Sequence, residues 1–494
     1  MDERGRSIRA SLAWNYGAHL LVFVVTFGGT IVLARLLTPH DLGVFGVSLA
    51  ISGILGTISY FGVANYLIRD HALSDGTIAT GFTINAILCL IVGAALWLLG
   101  GVGAALFADG AIPRVLRWMA LVPVLGIAEF LPMTLMTRDM RFAPLSLLQL
   151  ARATVNTGFA IAAGFAGYSY LSPAIGAVAG AIFGAVGFTL VGWRHVRWRI
   201  SLAGWTEFVA FSAQMLSAGG VSVLAARVSE LVVAHMLGLS ALGYYTRASG
   251  FAAMVWDGAY GLSTRVIYVQ MAAQLRETGT LKPTFLHATR LLSAIMWPAM
   301  AGIAVLSGPI IRVFYGPAWA GAALPLSLLM AGQIMAISFA MTWELCVLTG
   351  RTGWHARVEI ARALAGLAVF VFGAAFNLGA AAAGRVADSL IGLAIYRPRL
   401  GELSGATPAE MRQAYRGGVL LTGLAIAPAV AMRLAWSEAA PLWHLILAPL
   451  AGGGLWLIGL ALTRHPLFAE IRLLRRRDQA ARSRATSRDS GGSA

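Results

Sequence analysis

Apolar runs of membrane-span length follow one another along nearly the whole chain. They can be drawn at 12–36, 42–66, 79–100, 115–136, 145–167, 173–193, 208–238, 242–270, 285–314, 322–349, 356–376, 378–396, 416–436 and 441–462, fourteen in all, or twelve if neighbouring runs merge. A helix needs roughly 20 apolar residues to cross the hydrocarbon layer. Runs of this length and continuity read as transmembrane helices. Composition agrees: 58% of the 494 residues are hydrophobic and 12% are charged, about half the charged share of a soluble domain. That excludes a water-soluble enzyme, a disordered chain and a disulfide-stapled one. The expected fold class is an all-α polytopic membrane protein with about 14 transmembrane helices.

The net charge of +16 is almost entirely arginine, with Lys282 the only lysine. A nucleic-acid binder would present these charges on a soluble face. Here they fall in short gaps between apolar runs, so membrane orientation explains them better and no nucleic-acid partner is expected. With both termini on the cytoplasmic side, 25 of the 37 basic residues lie inside, 5 outside (Arg35, Arg114, Arg117, Arg312, Arg433) and 7 within spans. Such a bias follows the positive-inside rule and favours an even number of spans. Tryptophans at the run edges, among them Trp14, Trp193, Trp205 and Trp319, suit interfacial anchoring. Residues 464–494, with Arg475-Arg476-Arg477 and a Ser/Arg/Gly/Ala stretch, have little to bury and read as a basic, disordered cytoplasmic tail. Met1–Arg9 is basic, but the apolar segment after it reaches span length without a small-residue cleavage pattern, so no cleavable signal peptide is expected. Cys89 and Cys346 lie inside apolar stretches and read as small buried hydrophobes.

The chain also carries a faint internal repeat. At a shift of 200 residues, Val32, Ala34, Leu37, Leu42, Gly43 and Tyr60 meet Val232, Ala234, Leu237, Leu242, Gly243 and Tyr260. The matches cluster at one place, the turn between a first and a second span. Six spans separate the copies, so both would face the same way, as in transporters built from parallel repeats. Gly176, Gly180, Gly184 and Gly187 form a small-residue series that reads as a helix-packing face.

Enzyme motifs are missing. Lys282 precedes Pro283, which no phosphate-binding loop tolerates, and the nine histidines form no metal-ligand spacing. Neither a catalytic residue nor a metal site is expected. Ionisable residues within spans are costly and mark function by default. Arg152, Arg227, Arg265, Arg290 and Arg385 are the candidates for holding an anionic headgroup, because a guanidinium suits phosphate through paired hydrogen bonds. Arg247 and Arg362 can be read as snorkelling to the interface. The intramembrane acids are Glu129, Glu230, Asp257, Glu344 and Asp388, candidates for Na⁺ or H⁺ coupling. Two of them stand at i,i+3 from arginines, in Arg227–Glu230 and Arg385–Asp388, which also reads as neutral polar pairing between helices.

Four segments together carry a family resemblance. Ala34-Arg35-Leu36-Leu37-Thr38-Pro39 with Asp41-Leu42-Gly43-Val44-Phe45 resembles the first hairpin of polysaccharide (oligosaccharidyl-lipid) flippases, as does Met140-Arg141-Phe142-Ala143-Pro144-Leu145 after the fourth span. Leu237-Gly238 with Leu242-Gly243-Tyr244-Tyr245 repeats the hairpin. Phe314-Tyr315-Gly316-Pro317-Ala318-Trp319, followed by Ala322-Ala323-Leu324-Pro325, resembles the same family's turn after the ninth span. The family belongs to the superfamily that also holds multidrug exporters and the peptidoglycan-precursor flippase. The resemblance implies two six-helix lobes in a V, residues 1–200 and 201–400, then transmembrane helices 13 and 14 over 401–463. It implies transport of undecaprenyl-pyrophosphate-linked oligosaccharide to the outer leaflet of the bacterial inner membrane, for O-antigen, capsule or exopolysaccharide. The partners would be the lipid-linked oligosaccharide, the bilayer and a polysaccharide polymerase or export machinery. The candidate arginines would then hold the pyrophosphate. Many members carry aspartate in the seventh span where this chain has Glu230, so a polar role carries over there and no particular ion. A cation-coupled multidrug exporter of the same fold, or a non-transporting scaffold, are the alternatives.

Overall fold

The computed structural model describes residues 3–60, 62–69, 73–106, 109–196, 198–215, 220–435 and 443–468. Among them are nineteen α-helices and no strand. Among the described residues each of the fourteen apolar runs overlaps helix, but several are interrupted. The run 42–66 divides into Pro39–Tyr60 and Val63–Arg69, and 115–136 into Ala111–Met119 and Leu121–Arg138. Run 322–349 breaks between Ala323–Ile337 and Thr342–Leu348. Nine of the described helical stretches are long and apolar enough to cross a membrane by length and composition. The basic tail beyond residue 468 lies outside the described residues.

Helix starts follow local chemistry. In Thr38-Pro39-His40-Asp41 the Thr38 hydroxyl accepts the Asp41 N–H at 3.2 Å, while Asp41 Oδ2 accepts the Thr38 N–H at 2.9 Å. This is a capping box with proline at the first helical position, where its missing N–H costs nothing. Thr407-Pro408-Ala409-Glu410 repeats the device, with the Thr407 N–H donating to Glu410 at 2.8 Å and the Glu410 N–H to the Thr407 hydroxyl at 3.3 Å. Gly238, at φ 89°, ends the helix Val221–Leu237 and lets Leu239–Thr278 begin immediately.

Large apolar side chains such as Leu20, Leu98, Leu190 and Leu450 are more than half exposed. Lipid tails solvate them, so helix association rests on close packing by small residues rather than on hydrophobic burial. The chain forms two compact units.

The first unit comprises Met1–Arg247, Phe314–Ala322 and Glu359–Ala381. In it, helix Ser172–Val191 lays its glycine face on Phe142–Phe165: a Cβ on Gly176 would lie 2.5 Å from the Asn156 carbonyl oxygen, and one on Gly180 would lie 2.9 Å from Asn156 Cβ. The series at 176–187 is a packing face, as its spacing suggests. The two copies of the repeat also meet here. A Cβ on Gly43 would lie 1.9 Å from the Leu239 carbonyl oxygen, and one on Gly243 would lie 2.0 Å from that of Pro39. Position 239 is the repeat partner of 39, as 243 is of 43. The contact is therefore reciprocal, the signature of two like elements packed about a local two-fold axis.

The second unit comprises Ala248–Val313, Ala323–Val358 and Ala382–Ala494. Helix Pro408–Ala435 is pressed between Lys282–Val305 and His444–Leu462. Gly418 leaves room for Ser293, Gly452 for the Ala425 carbonyl, and the Trp456 indole N–H donates to the Ala294 carbonyl at 2.8 Å. Cys346 here and Cys89 in the first unit are free and buried.

Candidate functional site

In the first unit, Glu129 sits midway along Leu121–Arg138 and Arg152 near the middle of Phe142–Phe165. One Arg152 nitrogen, Nη1, straddles both carboxylate oxygens at 2.8 and 3.0 Å. The Glu129 side chain is 12% exposed and that of Arg152 32%. The glycine face of Ser172–Val191 makes space for the pair, since a Cβ on Gly184 would fall 2.2 Å from Glu129 Oε2. Twenty-three residues separate the partners, so no local spacing rule joins them in sequence. Glu129 has no opposite charge within a helical turn, but tertiary packing supplies one.

Arg227 and Glu230 pair along one helix as their spacing implies, with Nη1 again reaching both oxygens, at 3.1 and 2.9 Å. Gly53 clears the way for the arginine: a Cβ there would stand 2.8 Å from Nε. In both pairs the carboxylate is the more buried partner. Among the described residues, Nε and Nη2 of each arginine make no hydrogen bond, so each guanidinium keeps one edge for another acceptor. A third pair escaped the sequence reading. Arg362 grips Glu359 through Nε and Nη2, and Glu359 accepts the Ser222 hydroxyl at 2.8 Å. Its i,i+3 spacing was the available signal.

The remaining candidates lie elsewhere. Arg385 and Asp388 are half-buried one turn apart on Leu378–Ser404 in the second unit. Arg290 is half-buried near His287 and His465. Burial first, and then the neighbouring Arg290 guanidinium and His287 ring, hold the His465 imidazole below its ordinary pKa. Arg265 lies within helix Leu239–Thr278, and its side chain is outside the described residues. Asp257 is exposed on that helix rather than buried. Glu344 is 9% exposed and faces the Tyr260 hydroxyl, and Glu344 Oε2 completes no hydrogen bond. Among the described residues no cluster of three acids, histidines or cysteines could hold a metal ion.

Arg247 does not snorkel freely. Its guanidinium stands over the rings of Tyr315 and Trp319, 5.9 and 5.7 Å from their centroids, a cation–π arrangement. Trp319, fully buried, donates its indole N–H at 2.6 Å to the Ala34 carbonyl at the C-terminus of helix Glu3–Leu36. The last four carbonyls of a helix have no partner within it, and the indole caps one of them. Trp319→Phe keeps an aromatic ring, though a smaller one, and loses that donor. We expect a loss of about 1–3 kcal/mol for the orphaned carbonyl, read as a lower melting temperature of the purified protein.

A model of the family described as "Polysaccharide biosynthesis protein" matches residues 32–324. The chain belongs to that family. All four hairpin and turn motifs lie within the match or run to its edge. The lipopolysaccharide biosynthesis protein WzxC of Escherichia coli (strain K12) is 24% identical over 312 residues, 62% of this chain and 63% of that protein. The succinoglycan biosynthesis transport protein ExoT of Rhizobium meliloti (strain 1021) is 21% identical over 315 residues, 64% of each. The chain thus spans under two thirds of the length of these relatives. Among solved structures, the lipid II flippase MurJ in an inward closed conformation superposes with a TM-score of 0.72 at 13% identity, covering 92% of this chain and 99% of that one. An inward-facing multidrug resistance MATE family transporter of the MOP superfamily gives 0.57 at 13% identity, covering 78% and 96%. At these identities the likeness establishes a shared all-helical fold and nothing finer.

Proposed function

We propose that this family member is a flippase. It carries undecaprenyl-pyrophosphate-linked oligosaccharide from the cytoplasmic to the outer leaflet of the inner membrane, for O-antigen, capsule or exopolysaccharide assembly. One observation carries the reading: Arg152 and Arg227 are held at mid-helix by carboxylates that occupy a single nitrogen of each. A paired arginine avoids the cost of roughly 2.5–3.5 kcal/mol that insertion scales assign to a lone charge at mid-membrane. Its free edge remains a two-point donor to a phosphate oxygen. The pairs are neutral, so they bind the pyrophosphate by directed hydrogen bonds and release it without separating a strong ion pair.

In this scheme the sugars cross in a hydrated path, the polyprenyl tail stays in the bilayer, and the two repeats alternate access. Both termini face the cytoplasm, following the arginine bias. Glu344 beside Tyr260 is the acid best suited to carry H⁺ or Na⁺ coupling, because no cation neutralises it among the described residues. Outside, the cargo passes to a polymerase or export machinery. No catalysis by the chain itself is involved.

Deletion in the native host, with no paralogue present, should make lipid-linked repeat units accumulate on the cytoplasmic side and abolish surface polysaccharide. Arg227→Lys, which keeps the charge and loses the fork, should cut export while the protein stays folded. Normal surface polysaccharide after a clean deletion would overturn the reading. Substrate-dependent drug sensitivity in its place would mark a drug exporter.

A further inference from the structure

The second unit contains a cavity of about 500 Å³, within the range of roughly 300–1,000 Å³ typical of small-molecule sites. Its walls are nearly all apolar and include Trp297, Leu393, Met411 and Tyr415. The two rings stack at 5.5 Å and 18°. Their polar atoms are already spent: the Trp297 N–H donates to the Ile334 carbonyl at 2.9 Å, and the Tyr415 hydroxyl to the Ser338 carbonyl at 2.9 Å. The space opens where Pro398 interrupts the hydrogen-bond ladder of Leu378–Ser404 and the chain turns into Pro408–Ala435.

Arg397 and Arg412 are the two charged residues of the lining. Both are exposed, which places them at the rim. Neighbouring cations are neutralised: Lys282 pairs with Glu410 at 2.7 Å, and Arg399 with Glu402 at 2.8 Å. Arg397 and Arg412 form no ion pair among the described residues. An apolar slot rimmed by two unneutralised guanidinium groups complements an amphiphile with an anionic head. The slot takes a hydrocarbon chain, and the rim takes a phosphate.

We propose that this cavity is a binding site for an anionic membrane phospholipid. One acyl chain lies against Trp297 and Tyr415, and the headgroup phosphate lies between Arg397 and Arg412. The site belongs wholly to the second unit and is separate from the Arg152 and Arg227 pairs, so it stands whether or not the flippase reading holds. It makes the packing of Lys282–Val305, Leu378–Ser404 and Pro408–Ala435, the long helices that line it, dependent on membrane charge. Arginine bias assigns this end of the helices to the cytoplasmic leaflet, where a polybasic surface attracts anionic lipid.

The test uses the full chain purified in detergent, with added phosphatidylglycerol or phosphatidylcholine, followed by native mass spectrometry and thermal melting. The wild type should retain phosphatidylglycerol in preference to phosphatidylcholine and melt higher with it. Arg397→Gln/Arg412→Gln should weaken phosphatidylglycerol binding about thirtyfold, at about 1 kcal/mol per surface cation, and leave the melting temperature in phosphatidylcholine unchanged. Leu393→Trp, which fills the slot and keeps the rim, should also lose the retained lipid. Equal retention of both lipids, or retention unaffected by either variant, overturns the proposal. So does displacement of phosphatidylglycerol by undecaprenyl pyrophosphate at lower concentration than by further phosphatidylglycerol, because the cavity would then belong to the cargo.

Discussion

Gly43→Ala and Gly243→Ala should each abolish export and lower the melting temperature, and to similar degrees. Each glycine faces a main-chain carbonyl of the opposite repeat, 1.9 Å and 2.0 Å from where a Cβ would stand. A carbonyl in a helix cannot swing aside as a side-chain tip can, so the helices themselves must part by more than an ångström. Overpacking of this kind typically costs about 1–3 kcal/mol, and in a bilayer no hydrophobic force restores the contact. Because both glycines line one crossing, parting it for the first substitution relieves the second. The double variant should therefore fall short of the sum of the singles. Gly28→Ala, with nothing within 4 Å of the added carbon, is the control and should melt as the wild type does. If the chain works by alternating access, this crossing must open and close once per cycle, so export should fail even where the protein is still recovered folded. A double alanine variant that melts normally would show that the reciprocal contact does not hold the repeats together.

Arg152→Met should be the more damaging single change at the ion pairs. It leaves Glu129, 12% exposed, as an uncompensated buried carboxylate among the glycines of Ser172–Val191. Breaking such a pair costs roughly 3–5 kcal/mol, and the partial exposure of Arg152 puts the expected loss at the low end of that range. Glu129→Gln/Arg152→Met removes both charges, and most of the stability should return. Export should not, because the free guanidinium edge is gone with the charge. This separation distinguishes a pair that only glues helices from one that also handles cargo. Melting temperature reports the first role and surface polysaccharide the second. Full export by the double variant would remove Arg152 from the transport path and leave it a structural residue.

The helical character, the multiple spans and the family were legible because each rests on local or repeated pattern. Apolar run length is a one-dimensional quantity, and so is the capping chemistry of Thr38-Pro39-His40-Asp41. The Arg227–Glu230 pair was legible for the same reason, since helix geometry alone brings i and i+3 together. Glu129–Arg152 and the Arg247 cage of Tyr315 and Trp319 were not. Their members lie on separate helices, and no periodicity encodes which faces of two helices meet. Glu359–Arg362 had the local signal, but its pairing with Ser222 joins residues 137 positions apart.

The sequence by itself determined that this chain spans a membrane many times and that its hairpin motif occurs twice. Tertiary structure decided what those features do to one another. It placed Gly43 against the carbonyl of Leu239 and Gly243 against that of Pro39, turning a faint 200-residue repeat into a two-fold contact. It gave Glu129 its arginine, and among the described residues it brought no cation to Glu344. The physical reason is the same in each case. In a low-dielectric layer a charge or a backbone carbonyl is stable only with the right neighbour within about 3 Å, and that neighbour is chosen by how helices cross.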